Sequence, residues 1–127
     1  MSKKIIKTDQ APQPIGPYNQ AVVANNMVFT SGQIPLVLKT GEVLNAGVAE
    51  QTQLVLTYLQ AILQAAGSSL EKVVKTTVFL KNMSDFPEMN KVYAQVFKSD
   101  IAPARSTVEV ARLPKDVLVE IEAVALL

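Results

Sequence analysis

The fold is decided by the stretch Ala102 to Ala125, which reads APARSTVEVARLPKDVLVEIEAVA. Its composition predicts two β-strands, Ser106 to Arg112 and Val117 to Ala125, joined by a short turn at residues 113–116. The turn contains a Pro, which fixes φ, and an Asp, which can hydrogen-bond to nearby backbone. The chain is therefore expected to end in a pair of strands within a β-sheet.

The two faces of the second predicted strand differ in composition, because successive side chains point to opposite sides. One face is wholly apolar: Val117, Val119, Ile121, Ala123 and Ala125. The other face mixes two acids with aliphatic residues: Leu118, Glu120, Glu122, Val124 and Leu126. A core face would not hold unpaired acids, and a solvated face would hold fewer aliphatics. We therefore expect another subunit to cover the mixed face, with at least one Glu facing a polar cleft.

Arg105 stands just before the first predicted strand. Its guanidinium is a rigid fork that suits a carboxylate bound through two hydrogen bonds. A fixed Arg105 and a half-buried Glu120 on one sheet would bind a small anion and act on water beside it. The residues alone leave open a plain surface charge at each position.

Composition limits the class of protein. The chain has 127 residues, which fits one domain over residues 1–127. Hydrophobic residues make up 49% and charged residues only 18%, which favours a surface partly covered by subunit contacts. The net charge of +1 lacks the excess of positive charge that is typical of nucleic-acid-binding proteins, so a nucleic-acid partner is not expected.

The sequence contains no Cys and no His. Disulfides, thiolate nucleophiles, His general bases and nearly all zinc sites are therefore excluded. The opening MSKKIIK lacks the apolar segment of a secretory signal, and no run reaches the ~18 apolar residues of a membrane span. We expect a cytoplasmic protein without a membrane partner.

A Pro-rich segment leads to Tyr18. Lys4 to Lys7 is a short strand candidate, and Pro12, Pro14 and Pro17 keep the following segment extended or looped. A Tyr on such a braced loop can present its hydroxyl to a pocket. An aromatic residue packed on the core is the alternative.

Gln20 to Ala24 and Met27 to Ile34 are predicted strands around a tight turn. The second strand contains Ser31 and Gly32, and a Gly inside a strand pattern indicates a bulge or a close approach of backbone to another group. Ser31 and Gly32 are therefore candidates for backbone contact with a ligand. A simple bulge is the alternative.

Two helices and a further strand complete the pattern. Apolar residues at helical spacing predict a helix from Ala46 to Ala66, with Gly67 at its C-terminal cap. The β-branched run Val73 to Leu80 is typical of a central strand. Asp85 opens a second helix, with Glu88 in the capping-box position. This order predicts an α+β fold, a mixed β-sheet with two helices packed on one face.

The motifs of this chain resemble those of the Rid (YjgF-type) family of small imine and enamine deaminases. The similarity rests on PARSTVEVARLP at residues 103–114, followed by VEIEA at residues 119–123. Further motifs lie in the family's order and spacing across nearly the whole chain: IGPYNQA, FTSGQIP, KTGEV and VVKTTVFLKNMSDFPEMN.

The resemblance implies a fold like that of chorismate mutase and a homotrimer with active sites between subunits. It implies hydrolysis of 2-iminobutanoate, 2-iminopropanoate or their enamines to 2-oxo acids and ammonia, with no cofactor and no metal. Matching positions imply that Arg105 binds the carboxylate, that Glu120 handles water and protons, and that Tyr18 completes the catalytic set. Four residues are implied in substrate binding: Ser31, Gly32, Asn90 and Thr107. For Asn90, a surface position on the second helix is the alternative.

One position departs from the family pattern. Many relatives carry Cys where this chain has Thr107, so a thiol-based role is excluded here. Deamination by addition of water needs no thiol, and Thr107 is expected to contribute its backbone N–H.

Two other function classes stay open. Family members have been described as ribonucleases or translation inhibitors, although the near-neutral charge and the missing His argue against a dedicated ribonuclease. The third class is non-catalytic, a holdase or a protein that binds 2-oxo acids.

Overall fold

Six β-strands form one mixed sheet, and both α-helices share a core with one face of it. The computed structural model describes residues 2–127. The strands are β1 (Lys4–Ile6), β2 (Ala21–Ala24), β3 (Met27–Thr30), β4 (Val73–Leu80), β5 (Ala104–Glu109) and β6 (Val119–Leu126). The helices are α1 (Val48–Ala65) and α2 (Phe86–Val96), and short 3₁₀ turns cover Leu70–Lys72, Met83–Asp85 and Pro114–Asp116. The predicted α+β class is confirmed.

The strands lie in the order β1-β2-β3-β6-β4-β5. All neighbouring strands are antiparallel except β4 and β5, which are parallel. The last two strands follow each other along the chain, but they are not neighbours in the sheet, because β4 lies between β5 and β6. The strongly apolar β6 takes an inner position between β3 and β4, while the largely exposed β5 takes the edge.

The ends of the last two strands also differ from prediction. β5 starts two residues earlier and ends three residues earlier than predicted, so Arg105 lies inside the strand. β6 starts two residues after Val117. There, the N–H of Leu118 donates to the side-chain oxygen of Gln51 at 2.9 Å instead of to a neighbouring strand.

The helices follow prediction more closely. α1 lies within the predicted range, and Gly67 follows it with φ +86°, the left-handed conformation that suits glycine. β4 has the predicted bounds. The predicted capping box of α2 is wrong, because the side chain of Asp85 makes no capping hydrogen bond and a 3₁₀ turn leads into the helix. Within residues 2–127, neither helix has the length and hydrophobicity required to cross a bilayer.

The two faces of the sheet differ in what covers them. The face under the helices buries alternate residues of β6: Val119, Ile121, Ala123 and Ala125. Among residues 2–127, no helix covers the opposite face, which we call the open face. Three apolar side chains on it remain 41%, 40% and 47% exposed: Phe29, Val108 and Leu126. A single chain therefore leaves apolar surface uncovered on the face that also holds Glu120.

Candidate active site

Glu120 lines a cavity of about 230 Å³. Most of the other side chains around it are apolar: Pro12, Pro14, Ile15, Ile34, Leu36 and Pro114. Burial raises the pKa of the Glu120 carboxyl above its ordinary value, and the negative charge of Glu122 raises this pKa further. A carboxyl whose pKa is raised in this way is better suited to exchange protons than an ordinary Glu.

Gly32 makes room for this carboxyl group. A Cβ atom on residue 32 would collide with Oε2 of Glu120 and would lie 2.8 Å from its Cδ. Any residue other than glycine would therefore displace the carboxyl. The group that the Gly32 backbone approaches is Glu120 of the same chain.

A bulge places Gly32 in this position and ends β3 before the predicted Ile34. Pairing with β6 resumes at Gln33, whose N–H donates to the carbonyl oxygen of Ile121 at 2.8 Å. Residues 30–32 lie opposite residues 122–123, so this strand holds one extra residue. The irregular backbone directs the strand around the side chain of Glu120.

Ser31 is committed to contacts within the chain. Its N–H donates to the carbonyl oxygen of Gln20 at 2.9 Å, and its hydroxyl donates to the carbonyl oxygen of Asn19. Ser31 therefore ties the bulge to the segment that follows Tyr18. The N–H of Gly32 has no acceptor within residues 2–127, and Gly32 lines the cavity.

Gln20 holds the loop beside the cavity, a role that the sequence analysis missed. Its buried amide accepts from the N–H of Thr8 at 2.8 Å and donates to the carbonyl oxygens of Thr8, Ala11 and Pro12 at 3.0, 3.2 and 2.9 Å. Tyr18, which follows on the same loop, is 50% exposed and lines the cavity. The sequence signal for this role is weak. Gln20 follows a Pro-rich loop, and the backbone carbonyl groups of such a loop need hydrogen-bond donors.

Arg105 is held separately, against α2. Its Nη1 donates to Oδ1 of Asn90 at 2.8 Å. Its guanidinium carbon lies 4.6 Å from the ring centroid of Tyr93 and 5.4 Å from that of Phe86. Thr107 lies two residues further along β5 and therefore on the same face as Arg105.

Arg105 has no carboxylate within 4.0 Å among residues 2–127, although it is partly buried. A charge removed from water normally requires a partner. The guanidinium is therefore suited to receive a carboxylate from outside the chain through two N–H donors. In the same described part of the chain, no three His, Cys, Asp or Glu side chains are grouped to hold a metal ion.

Arg105 and Glu120 do not meet within one chain. Arg105 lies opposite Thr76 of β4, and Glu120 lies opposite Phe79. Thr76 and Phe79 are three positions apart, so they point to opposite faces of the sheet. Strand spacing and rise place the Cα atoms of Arg105 and Glu120 roughly 14 Å apart.

The structure thus divides the predicted site into two groups. The cavity half-site brings together four of its residues: Tyr18, Ser31, Gly32 and Glu120. The cation half-site brings together the other three: Asn90, Arg105 and Thr107. This division has no signal in the sequence, because it follows from strand register.

Comparison with known sequences places the chain among relatives of the same length. Residues 8–127 match a family model described as Endoribonuclease L-PSP. A RutC family protein of Synechocystis is 59% identical over 100% of this chain and 98% of its own length. TdcF of Escherichia coli, named as a candidate reactive intermediate deaminase, is 52% identical over 97% of this chain and 96% of its own length.

Solved structures share the fold. The crystal structure of E. coli TdcF with bound serine has a TM-score of 0.91 and 51% identity, and the match covers 98% of both chains. A Yersinia pestis protein described as a member of the conserved Rid family has a TM-score of 0.95 and 45% identity, with coverage of 99% of this chain and 100% of its own. The chain therefore belongs to the Rid (YjgF-type) family, whose family model is described as Endoribonuclease L-PSP.

Proposed function

We propose that this protein is a cofactor-free deaminase that hydrolyses reactive 2-imino acids, or their enamines, to 2-oxo acids and ammonia. The observation that carries the proposal is the oriented guanidinium of Arg105, which has no carboxylate partner among residues 2–127. Such a group suits the carboxylate that every 2-imino acid carries. The name of TdcF, and its crystal structure with bound serine, support a small substrate with a carboxylate and a nitrogen.

The complete site in this proposal needs two copies of the chain. Arg105 and Glu120 lie on opposite faces of one sheet, so a single small substrate cannot reach both. A second copy packed on the open face would bury Phe29 and Leu126 and bring its own Arg105 to the Glu120 cavity. A closed ring of such contacts gives the homotrimer that the family resemblance implies.

The reaction begins with Arg105 holding the substrate carboxylate, which fixes the C=N carbon beside Glu120. The ionised Glu120 takes a proton from water as the oxygen adds to that carbon, and the C=N bond becomes a C–N single bond. Glu120 then returns the proton to the nitrogen. This gives a neutral carbinolamine that carries a hydroxyl and an amino group. Glu120 then takes the hydroxyl proton and passes it to the amino group, so that the C–N bond breaks with loss of ammonia as the oxygen forms the new C=O bond of the 2-oxo acid.

The remaining residues have supporting roles in this scheme. The hydroxyl of Tyr18 hydrogen-bonds to the substrate or to water. The N–H of Gly32, which has no acceptor within residues 2–127, donates to the substrate. Ser31 holds the bulge in place and does not bind the substrate, because its N–H and its hydroxyl already donate to carbonyl groups of the chain. Asn90 fixes Arg105, and Thr107 offers its backbone N–H near the carboxylate.

The test couples the purified protein to a threonine dehydratase, which releases 2-iminobutanoate, and follows 2-oxobutanoate in the presence of semicarbazide. The deaminase should speed release of the 2-oxo acid and suppress the semicarbazone. Arg105→Ala should lose most of this effect. Arg112→Ala is the matched control, because Arg112 is exposed and already paired with Asp116 at 2.9 Å.

Other outcomes would support the alternative functions. Tight binding of 2-oxobutanoate without any effect on the imine would favour a binding protein or sensor. Binding of RNA that weakens steeply with salt would favour the RNA-directed alternative, which the description of the family model names.

A further inference from the structure

We infer that Tyr93 and Phe86 form an aromatic platform that positions Arg105, with Tyr93 set in place by a buried hydrogen bond to Thr76. This inference deepens the proposed function, because it rests on Arg105 binding the substrate carboxylate. In this account Tyr93 and Phe86 are positioning residues, since they act on the substrate only through Arg105.

The guanidinium of Arg105 lies against two aromatic rings of α2. Its central carbon is 4.6 Å from the ring centroid of Tyr93 and 5.4 Å from that of Phe86. Both distances are within the ~6 Å at which a ring attracts a cation. The two rings can therefore stabilise the positive charge of the guanidinium.

Asn90 and the two rings together leave Arg105 prepared for a carboxylate. The Asn90 side-chain oxygen accepts one N–H of Arg105 at 2.8 Å. An Asp or Glu in place of this amide would compete with the substrate, whereas an amide oxygen carries no net charge. The guanidinium is thus oriented while its charge stays unneutralised.

The position of the Tyr93 ring is itself fixed by the sheet. Tyr93 is 5% exposed, and its hydroxyl is 2.7 Å from the hydroxyl of Thr76, which is 0% exposed. Thr76 lies directly opposite Arg105 in the β4–β5 register. The Thr76 hydroxyl therefore aligns the Tyr93 ring with the strand position from which Arg105 projects.

A purely structural role for Tyr93 predicts a different result. Tyr93 also packs on Phe97, with 4.7 Å between ring centroids, so it belongs to the core. If it served only the core, its loss would weaken every ligand and the fold together. A positioning role predicts instead a loss that depends on the charge of the ligand.

The experiment compares 2-oxobutanoate with its uncharged amide, 2-oxobutanamide, by calorimetric titration of the full-length protein. Tyr93→Leu should weaken binding of the acid by about tenfold and binding of the amide by less than about twofold. KM for the imine should rise by a similar factor, while kcat should change little. Thr76→Val should give a smaller change in the same direction.

Two further variants keep the test decisive. Phe86→Leu changes a partly exposed ring of the platform, so it remains informative if Tyr93→Leu does not fold. Ile62→Val is the control for general destabilisation, because Ile62 is a core residue of α1, and it should leave the affinity for both ligands unchanged.

The failures of the two proposals are distinguishable. If Arg105→Ala leaves binding of 2-oxobutanoate intact, the assignment of Arg105 in the proposed function is wrong. If Arg105→Ala abolishes acid binding but the platform variants weaken acid and amide equally, or weaken neither, the platform is wrong and the proposed function stands.

Discussion

The Cβ atom that Gly32 lacks would occupy the space of the Glu120 carboxyl group. Gly32→Ala should therefore push Glu120 out of the cavity and lower kcat by at least about tenfold. The fold should persist, because residue 32 does not need a positive φ. Steady-state kinetics and circular dichroism of the same sample check both statements.

Gly47→Ala is the matched control for this substitution. A Cβ atom on Gly47 would meet only Oε1 of Glu50, at 3.7 Å, which is an ordinary contact. Unchanged activity in both variants would show that Glu120 does not need its present position.

The raised pKa of Glu120 predicts how activity depends on pH. Glu120 must be ionised to take a proton from water, so kcat/KM should fall as pH drops through this raised pKa. A pH–rate profile of the wild type should show this acidic limb at a pH above the ordinary Glu value of 4.5. Glu120→Gln should remove the limb along with most of the activity; an identical limb in the variant would assign it to another group.

The same shift in pKa has a consequence for stability. Burial raises the pKa of Glu120 in the folded state, so protonation of this carboxyl stabilises the fold. This contribution to the free energy of unfolding is fully present below pH 4.5 and is lost as pH rises through the raised pKa. Glu120→Gln should therefore be more stable than the wild type at about pH 8, with the difference disappearing at about pH 4. Urea unfolding at both pH values measures this, and a variant that is less stable at the higher pH would contradict it.

Removal of the Gln20 amide should loosen the loop that carries Tyr18. Gln20→Leu leaves the N–H of Thr8 and the carbonyl oxygens of Thr8, Ala11 and Pro12 without their partner. We expect a loss of about 2–4 kcal/mol in the free energy of unfolding, measured in urea, together with reduced activity. Gln60→Leu, on the exposed side of α1, should cost much less, and equal losses would refute the special role of Gln20.

A charge placed on the open face should break the proposed assembly. Phe29 is 41% exposed there, and Phe29→Glu would bury an unpaired carboxylate in a contact between subunits. We expect this variant to sediment as a folded monomer without deaminase activity. Gln60→Glu adds the same charge on α1 and should leave sedimentation unchanged; an active monomeric Phe29→Glu would exclude the two-copy site.

Local patterns along the sequence predicted individual helices and strands well, but they did not predict which strands pair. The strand Val73 to Leu80 and the helix that precedes Gly67 have strong local signals, which the structure matches. The order of strands has no such signal, because alternation along β6 determines which side chains share a face but not which strand lies beside it. For the same reason, the sequence identified Arg105 and Glu120 but not their placement on opposite faces.

The central claim is that Arg105 of one copy acts with Glu120 of another. The most direct test mixes Arg105→Ala and Glu120→Gln subunits in equal amounts, after dissociation and reassembly, and measures deaminase activity. Each variant alone should be nearly inactive, whereas the mixture should recover about a quarter of wild-type activity, because about a quarter of the sites combine two intact residues. A mixture that stays inactive despite exchanging subunits would contradict the claim.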